Sequence, residues 1–144
     1  MSVNTISIEA PPEDVFAVLA DPERYVEWVV GTTDTDGLDA EWPAPGSRLR
    51  YRVGIGPFGF SDVTEVVEAQ PPRRVALRAH MRPFGTTAIE MVLTPEPGGT
   101  RVVMREEPAS GLVRATHTRL TDIVLGRRNE AALGRLRQLA ENDA

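Results

Sequence analysis

Residues 48–55 alternate between polar or small side chains and apolar ones, with Leu49, Tyr51 and Val53 on the apolar face. A period of two predicts a half-buried antiparallel β-strand with its other face in water. The same alternation recurs in three later segments, 74–82, 86–93 and 101–107. Proline- and glycine-rich turns separate these segments. The pattern therefore predicts an antiparallel sheet with one apolar face.

The first 40 residues predict a strand followed by two short helices and a weak strand. Ser2 to Ile8 alternates and predicts the first strand. Prolines and acidic residues at 11–14 and again at 21–23 are typical of helix starts, with Asp21 as the second N-cap. Residues 32–40 favour a weak strand. A further strand is expected from Phe60 to Ala69, with a bulge near Ser61 because the apolar parity changes there.

The C-terminal region, from about Leu112 to Ala140, contains no proline and predicts one long helix. Its apolar residues recur at three- and four-residue steps: Leu120, Ile123, Val124, Ala131, Ala132, Leu136, Leu139 and Ala140. A helix of about 25 residues would span about 37 Å. Gly126 and Gly134 each weaken it, which indicates either close packing on the sheet or a cavity wall.

These elements predict an α+β fold, with about seven strands and one long helix that covers the apolar face of the sheet. The 144 residues are the usual size of one domain, so we expect residues 1–144 to form a single ligand-binding domain. The first nine residues lack a basic segment followed by an apolar one, and the expected location is therefore cytoplasmic. We expect a monomer or a homodimer.

Composition excludes several kinds of chemistry. The chain has no cysteine and no lysine, which rules out disulfides, thiol nucleophiles and a Schiff-base lysine. Its net charge of −5 argues against nucleic acid as a partner. No apolar run approaches the roughly 18 residues of a membrane span. Phosphate- and dinucleotide-binding loops are absent, so we expect no cofactor, and two histidines without cysteine predict no metal site.

Four segments together resemble the START-like (SRPBCC) superfamily, and in particular its bacterial polyketide cyclase/dehydrase and lipid-transport branch. They are ISIEAPPEDVFAVLADPERYVEWVVG, VVEAQPPRRVAL, PGGTRVVMREEP and RRNEAALGRLRQLAEN. The resemblance covers nearly the whole chain and carries no single catalytic motif. It implies a helix-grip fold with a deep, mainly apolar pocket between the sheet and the C-terminal helix.

Members of this superfamily bind lipids, polyketides, hormones or quinones, and some cyclise aromatic polyketides. The resemblance therefore implies a partner that is a small apolar or aromatic molecule. The alternative is an enzyme of the cyclase or dehydratase type that uses polar groups of the pocket as general acids and bases.

Three residues are candidates for that chemistry. Glu106 continues the apolar face of its strand; either it points inward, where a carboxylate needs a partner, or the strand has ended and it is solvated. His117 lies near the start of the long helix, where it could reach the mouth of a cavity. Tyr51 offers an aromatic ring and one polar tip, and in the resembling cyclases such tyrosines are thought to position the polyketide. Glu90 and Arg105 are expected to pair on the outer face.

The expected lining of the pocket combines inward positions of the strands with the predicted helix face. It comprises Trp28, Leu49, Tyr51, Val53, Leu77, Met81, Ile89, Met91, Met104, Leu120 and Val124.

Overall fold

The computed structural model describes residues 1–28, 32–38, 42–55, 58–81 and 85–143. Within these ranges the backbone alone is described at Pro22, Tyr25, Val26, 32–38, 51–55, 58–62, Met81 and Asp143.

Seven strands form one antiparallel sheet in the order β1-β7-β6-β5-β4-β3-β2. They are β1 (Ser2–Ile8), β2 (Thr32–Leu38), β3 (Arg48–Ile55), β4 (Phe58–Gln70), β5 (Arg74–Met81), β6 (Gly85–Glu96) and β7 (Gly99–Ser110). Strands β2 to β6 each pair with the next strand in the chain, and β1 pairs with β7 at the other edge. The predicted α+β helix-grip architecture is confirmed.

Four helices accompany the sheet: α1 (Pro12–Leu19), α2 (Tyr25–Trp28), α3 (Gly111–Ala115) and α4 (Arg119–Asp143). A 3₁₀ turn, Pro22–Arg24, leads into α2. Asp21 caps it as predicted, because its Oδ1 accepts a hydrogen bond from the backbone N–H of Glu23 at 3.0 Å. Two short helical segments therefore follow β1, separated by Asp21.

The C-terminal helix begins later than predicted. A break at 116–118 separates α3 from α4, and Thr118 provides the physical reason. Its hydroxyl accepts from the N–H of Thr121 at 3.3 Å, and the hydroxyl of Thr121 accepts from the N–H of Thr118 at 2.8 Å. This reciprocal pair satisfies two N-terminal amides and starts the helix at Arg119.

The predicted bulge near Ser61 is wrong in position. Strand β4 pairs with β3 without a register shift from Phe58 to Glu65. The irregularity lies instead between Val66 and Glu68, opposite β5. It leaves Val66 fully buried and Val67 45% exposed. The bulge therefore changes which alternate residues face the core.

The core lies between the inner face of the sheet and the helices. Buried sheet residues include Leu49, Val66, Val75, Met91, Leu93, Val102 and Met104. Helix α1 contributes Val15, Phe16, Val18 and Leu19, and α4 contributes Ala132, Leu133, Leu136 and Ala140. Helix α4 packs on β1, α1 and α2. This packing holds the helices at a fixed position over the sheet.

The predicted apolar face of the long helix is correct in its second half, except that Ala131 is exposed, and it is wrong in the first half. Leu120, Ile123 and Val124 are 69%, 55% and 62% exposed. The buried side of the first half instead carries Asn129, which is 3% exposed. Here the helix presents a polar side chain to the sheet, and the apolar residues point into water.

Candidate functional site

A small enclosed pocket lies between the inner face of the sheet and the short N-terminal helices. Helices α1 and α2 form one wall, strands β5 and β6 the opposite wall, and the turn after residue 41 closes the third side. Its lining residues are Phe16, Leu19, Trp28, Trp42, Pro43, Val75, Leu77 and Met91. All eight side chains are predominantly apolar, which is the usual composition of a small-molecule site.

The pocket is closed in this structure. Its volume is about 10 Å³, roughly the minimum that holds one water molecule. A ligand of drug size needs a volume of roughly 300 Å³ or more. The walls must therefore separate before an organic ligand fits between them.

The indole of Trp42, one of the rings that line this apolar pocket, carries a polar atom. Its Nε1 is buried and has no hydrogen-bond partner. Leaving such a donor unsatisfied costs about 1–3 kcal/mol. The ring is partly buried and packs against the core.

Glu106 lies elsewhere on the inner face and is buried, at 5% exposed. It sits opposite Ile89 of β6 and Ser2 of β1 in the register of the sheet. The side-chain amide of Asn129 on α4 donates a hydrogen bond to its Oε1 at 3.2 Å. The sequence pattern left open whether Glu106 points inward or into solvent, and the structure shows it pointing inward.

Burial raises the pKa of Glu106 above its ordinary value of 4.5. The positive charge of Arg128 and the hydrogen bond from Asn129 both favour the ionised form and oppose that rise in part. A carboxyl with a raised pKa keeps its proton to a higher pH than an ordinary glutamate and can therefore act as a proton donor over a wider range.

A polar cluster surrounds this carboxyl where β1 meets α4. The hydroxyl of Ser2 donates to Asn4 Oδ1 at 3.1 Å, and Asn4 Nδ2 donates to the backbone oxygen of Gly126 at 2.9 Å. Ser2 is 4% exposed. The cluster links the edge strand to the helix through buried hydrogen bonds.

His117 lies in the break between α3 and α4. Its Nε2 is 2.6 Å from Asp122 Oδ1 and 3.4 Å from the amino group of Met1. The bonds from His117 and the amino group lower the pKa of Asp122. Within the described ranges, no hydrogen bond or ion pair joins His117 to Glu106, and neither residue lines the enclosed pocket. The structure does not assemble these two candidates into one site.

The remaining predicted residues fall into distinct groups. Trp28, Leu77 and Met91 line the enclosed pocket, and their part in ligand binding stays a prediction. Leu49 and Met104 are buried in the core, and Ile89 packs against it, away from the pocket wall. The side chains of Tyr51, Val53 and Met81 lie outside the described residues.

The prediction that Leu120 and Val124 line the cavity is wrong, because both are exposed. The predicted cavity wall along α4 is likewise corrected: none of the described lining residues comes from that helix.

Five lining residues were missed: Phe16, Leu19, Trp42, Pro43 and Val75. The buried face of the first helix, which includes Phe16 and Leu19, is visible in the sequence, but as core rather than as pocket. Trp42 stands beside a proline in a turn, and no periodic pattern predicts the direction of its ring.

A second, open depression of about 270 Å³ lies along β5, β6 and β7, and Leu77, Ile89 and Glu106 are among its lining residues. Charged side chains surround it, including Arg74, Glu90 and Arg105. Glu90 accepts from Arg74 Nε at 2.8 Å and from Arg105 Nη1 at 3.3 Å, so the predicted Glu90–Arg105 pair is confirmed. The lining of this depression therefore mixes charged side chains with apolar ones such as Val67 and Ile89.

Two further observations limit the chemistry of the described residues. No group of three His, Asp or Glu side chains able to hold a metal ion occurs among them. Within the same parts of the chain, no helix combines the length and apolar character that crossing a membrane requires.

Residues 2–141 match the model of the family described as polyketide cyclase / dehydrase and lipid transport. The chain belongs to this family. The match spans every element from β1 to the last turns of α4, in agreement with the helix-grip architecture. No protein with a curated description matches the sequence.

Solved structures of similar fold extend this result. A protein from Rhodobacter sphaeroides is 21% identical, with a TM-score of 0.76, and the match covers 95% of this chain and 89% of that one. TTHA0849 from Thermus thermophilus is 19% identical, with a TM-score of 0.72 and coverage of 99% and 98%. At these identities the likeness shows the family fold and not a shared ligand.

A third neighbour is DynU16, a protein of the dynemicin biosynthetic locus. It is 20% identical, with a TM-score of 0.72, and the match covers 99% of this chain and 47% of DynU16. One copy of the family fold therefore accounts for about half of that longer protein.

Proposed function

We propose that this protein binds a small hydrophobic or aromatic molecule of the lipid, polyketide or quinone class between the sheet and the helices α1 and α2. The observation that supports it is the enclosed pocket, whose walls consist of apolar side chains from four elements and a turn. Membership of a family of polyketide cyclases, dehydrases and lipid transporters supports the same class of ligand.

Ligand entry requires the pocket to widen, and the turn with Trp42 and Pro43 is the wall best placed to move. The other walls belong to helices and to the middle of strands, which hydrogen bonds hold in register. We infer that the ligand displaces this turn outward and takes the space between Trp28, Trp42 and the sheet.

The two tryptophans provide the test. The chain contains only Trp28 and Trp42, and both line the pocket. Titration with fatty acids, aromatic polyketides and quinones should therefore change the intrinsic tryptophan fluorescence in a saturable way when a ligand binds there. Native mass spectrometry, with denaturing extraction of the purified protein, would identify a carried compound.

A matched pair of variants locates the binding. Val75→Phe adds bulk to the pocket wall and should weaken the affinity at least about tenfold. Val67→Phe makes the same change at an exposed position on β4 and should leave it unchanged. An absence of saturable binding across the panel, or equal effects of the two variants, would count against this proposal.

The buried carboxyl of Glu106 supports a second candidate function, acid–base catalysis of a cyclisation or dehydration. Neither Glu106 nor His117 lines the enclosed pocket, so this reaction requires a ligand that extends beyond that pocket to reach Glu106 and exchange a proton with it. Tyr51 and His117 would be further polar groups to test. The expected result is that Glu106→Gln or Tyr51→Phe keeps ligand affinity and abolishes turnover. Bound compounds that are never converted would eliminate this candidate.

A further inference from the structure

We propose that the indole N–H of Trp42 selects the ligand by donating a hydrogen bond to a carbonyl oxygen, so that the pocket prefers aromatic ketones or quinones to alcohols and hydrocarbons. This inference rests on the proposed function and adds the chemical group that the ligand must present.

The proposal depends first on the hydrogen bonding of the Trp42 indole N–H. Trp42 Nε1 is buried and without a hydrogen-bond partner, and its ring is one of the walls of the pocket. A buried donor of this kind is satisfied in nearly all folded proteins. The missing acceptor is therefore expected to come from whatever occupies the pocket.

The hydrogen-bonding groups of the pocket walls limit what can pair with this N–H. Among the residues that the structure describes, the lining side chains are those of phenylalanine, leucine, valine, proline, methionine and tryptophan, and none of these carries an oxygen. A buried water needs two to four polar partners and must donate as well as accept. These side chains provide donors but no oxygen acceptor for the hydrogens of a water.

The chemical group that fits these walls is a carbonyl. A carbonyl oxygen accepts hydrogen bonds and brings no donor of its own. A hydroxyl would accept from Trp42 but leave its own hydrogen unsatisfied against apolar side chains, which is costly. The walls thus discriminate an oxidised aromatic compound from its reduced or deoxygenated counterpart.

Three probes with one carbon skeleton test this preference: 1,4-naphthoquinone, 1,4-dihydroxynaphthalene and naphthalene. Affinities would be measured by calorimetry without oxygen, so that the diol is not oxidised. The absence of cysteine excludes reaction of the quinone with a thiol. We expect the wild-type protein to bind the quinone about tenfold more tightly than either of the other probes.

Trp42→Phe keeps an aromatic wall and removes the donor, and it should reduce that preference to less than about twofold. Val67→Phe, at an exposed position of β4 outside this pocket, should retain the preference. As a second measurement that needs no variant, the indole N–H resonance of Trp42 should move on binding naphthoquinone and much less on binding naphthalene.

The possible failures are distinguishable. Equal affinity for the three probes, or a preference that survives in Trp42→Phe, would overturn the carbonyl inference and leave the apolar binding site intact. Failure of all three probes to bind would overturn the inference, and the wider ligand panel would then decide separately whether the proposed function also fails.

Discussion

Glu106 is an acidic side chain that the fold places in its interior. One carboxylate oxygen of Glu106 accepts a hydrogen bond from Asn129, and Arg128 provides the nearby positive charge. Burial nevertheless has the largest effect on the pKa of Glu106, and it raises that pKa. A carboxyl in such a position makes the stability of the protein depend on pH, because folding then changes its affinity for a proton.

The direction of that dependence follows from the raised pKa. Between 4.5 and the higher pKa of the folded state, folded Glu106 keeps a proton that the unfolded chain has released. This residue's contribution to the free energy of unfolding therefore falls as the pH rises through that window and is constant below it. Glu106→Gln should remove this slope, and denaturant unfolding of both proteins across a pH series would measure it.

Glu107→Gln is the matched control, because Glu107 is the next residue on the same strand and is exposed on the opposite face. It should retain the wild-type slope. If Glu106→Gln and the wild type lost stability in parallel above pH 4.5, the carboxyl would not be titrating as its burial requires.

Sequence reasoning reached Glu106 and missed Trp42 for a physical reason. Strand alternation assigns every second residue of β7 to one face, so the inward direction of Glu106 follows from Val102 and Met104. Trp42 lies in a turn, where no period exists. The direction of its ring depends on contacts with residues distant in the chain, which a single sequence does not reveal.

At the level of the element, α4 shows that apolar residues at helical spacing do not always mark the buried face. Its first half exposes Leu120, Ile123 and Val124 and buries Asn129. The polar side chain is inside because it meets Glu106. The strand alternation predicted the sheet well because its two-residue period is unambiguous, whereas a helix with apolar residues on two sides leaves its orientation open.

Paired truncations of α4 test this orientation. Leu136 is fully buried and Leu120 is 69% exposed. Leu136→Ala should lower the free energy of unfolding by about 2–5 kcal/mol, and Leu120→Ala should change it by less than about 0.5 kcal/mol. Chemical denaturation measures both. Similar losses from the two substitutions would mean that Leu120 is packed in solution.

The two glycines of α4 should respond differently to substitution. A Cβ at Gly134 would meet nothing within 4 Å, so Gly134→Ala should stabilise the protein by about 1 kcal/mol through helix propensity alone. At Gly126 a Cβ would lie 3.4 Å from Ser2 Oγ, in the contact with β1, and the gain there should be smaller. Thermal unfolding compares the two, and an equal or larger gain at Gly126 would contradict the proposed close approach of β1.

At the level of the whole molecule, the sheet depends on α4 for its cover. The buried residues of the helix, such as Leu133 and Leu136, share one core with β1, β6 and β7. Deleting residues 119–144 would expose apolar side chains along that face.

The truncated protein should therefore lose cooperative thermal unfolding, as measured by near-ultraviolet circular dichroism and calorimetry. A control that lacks only residues 142–144 should unfold cooperatively, because Asn142 is exposed. A cooperative transition in the longer deletion would show that the sheet and the N-terminal helices are sufficient for the fold.

The closed pocket also has a consequence for the speed of binding. With space for one water molecule in the resting state, the protein must open before the proposed ligand can enter. In stopped-flow experiments the observed association rate should rise with ligand concentration and then reach a plateau equal to the opening rate. The same barrier slows escape, so a captured molecule would have a long residence time relative to its equilibrium affinity, a useful property for a protein that holds a reactive or poorly soluble compound until it is passed on.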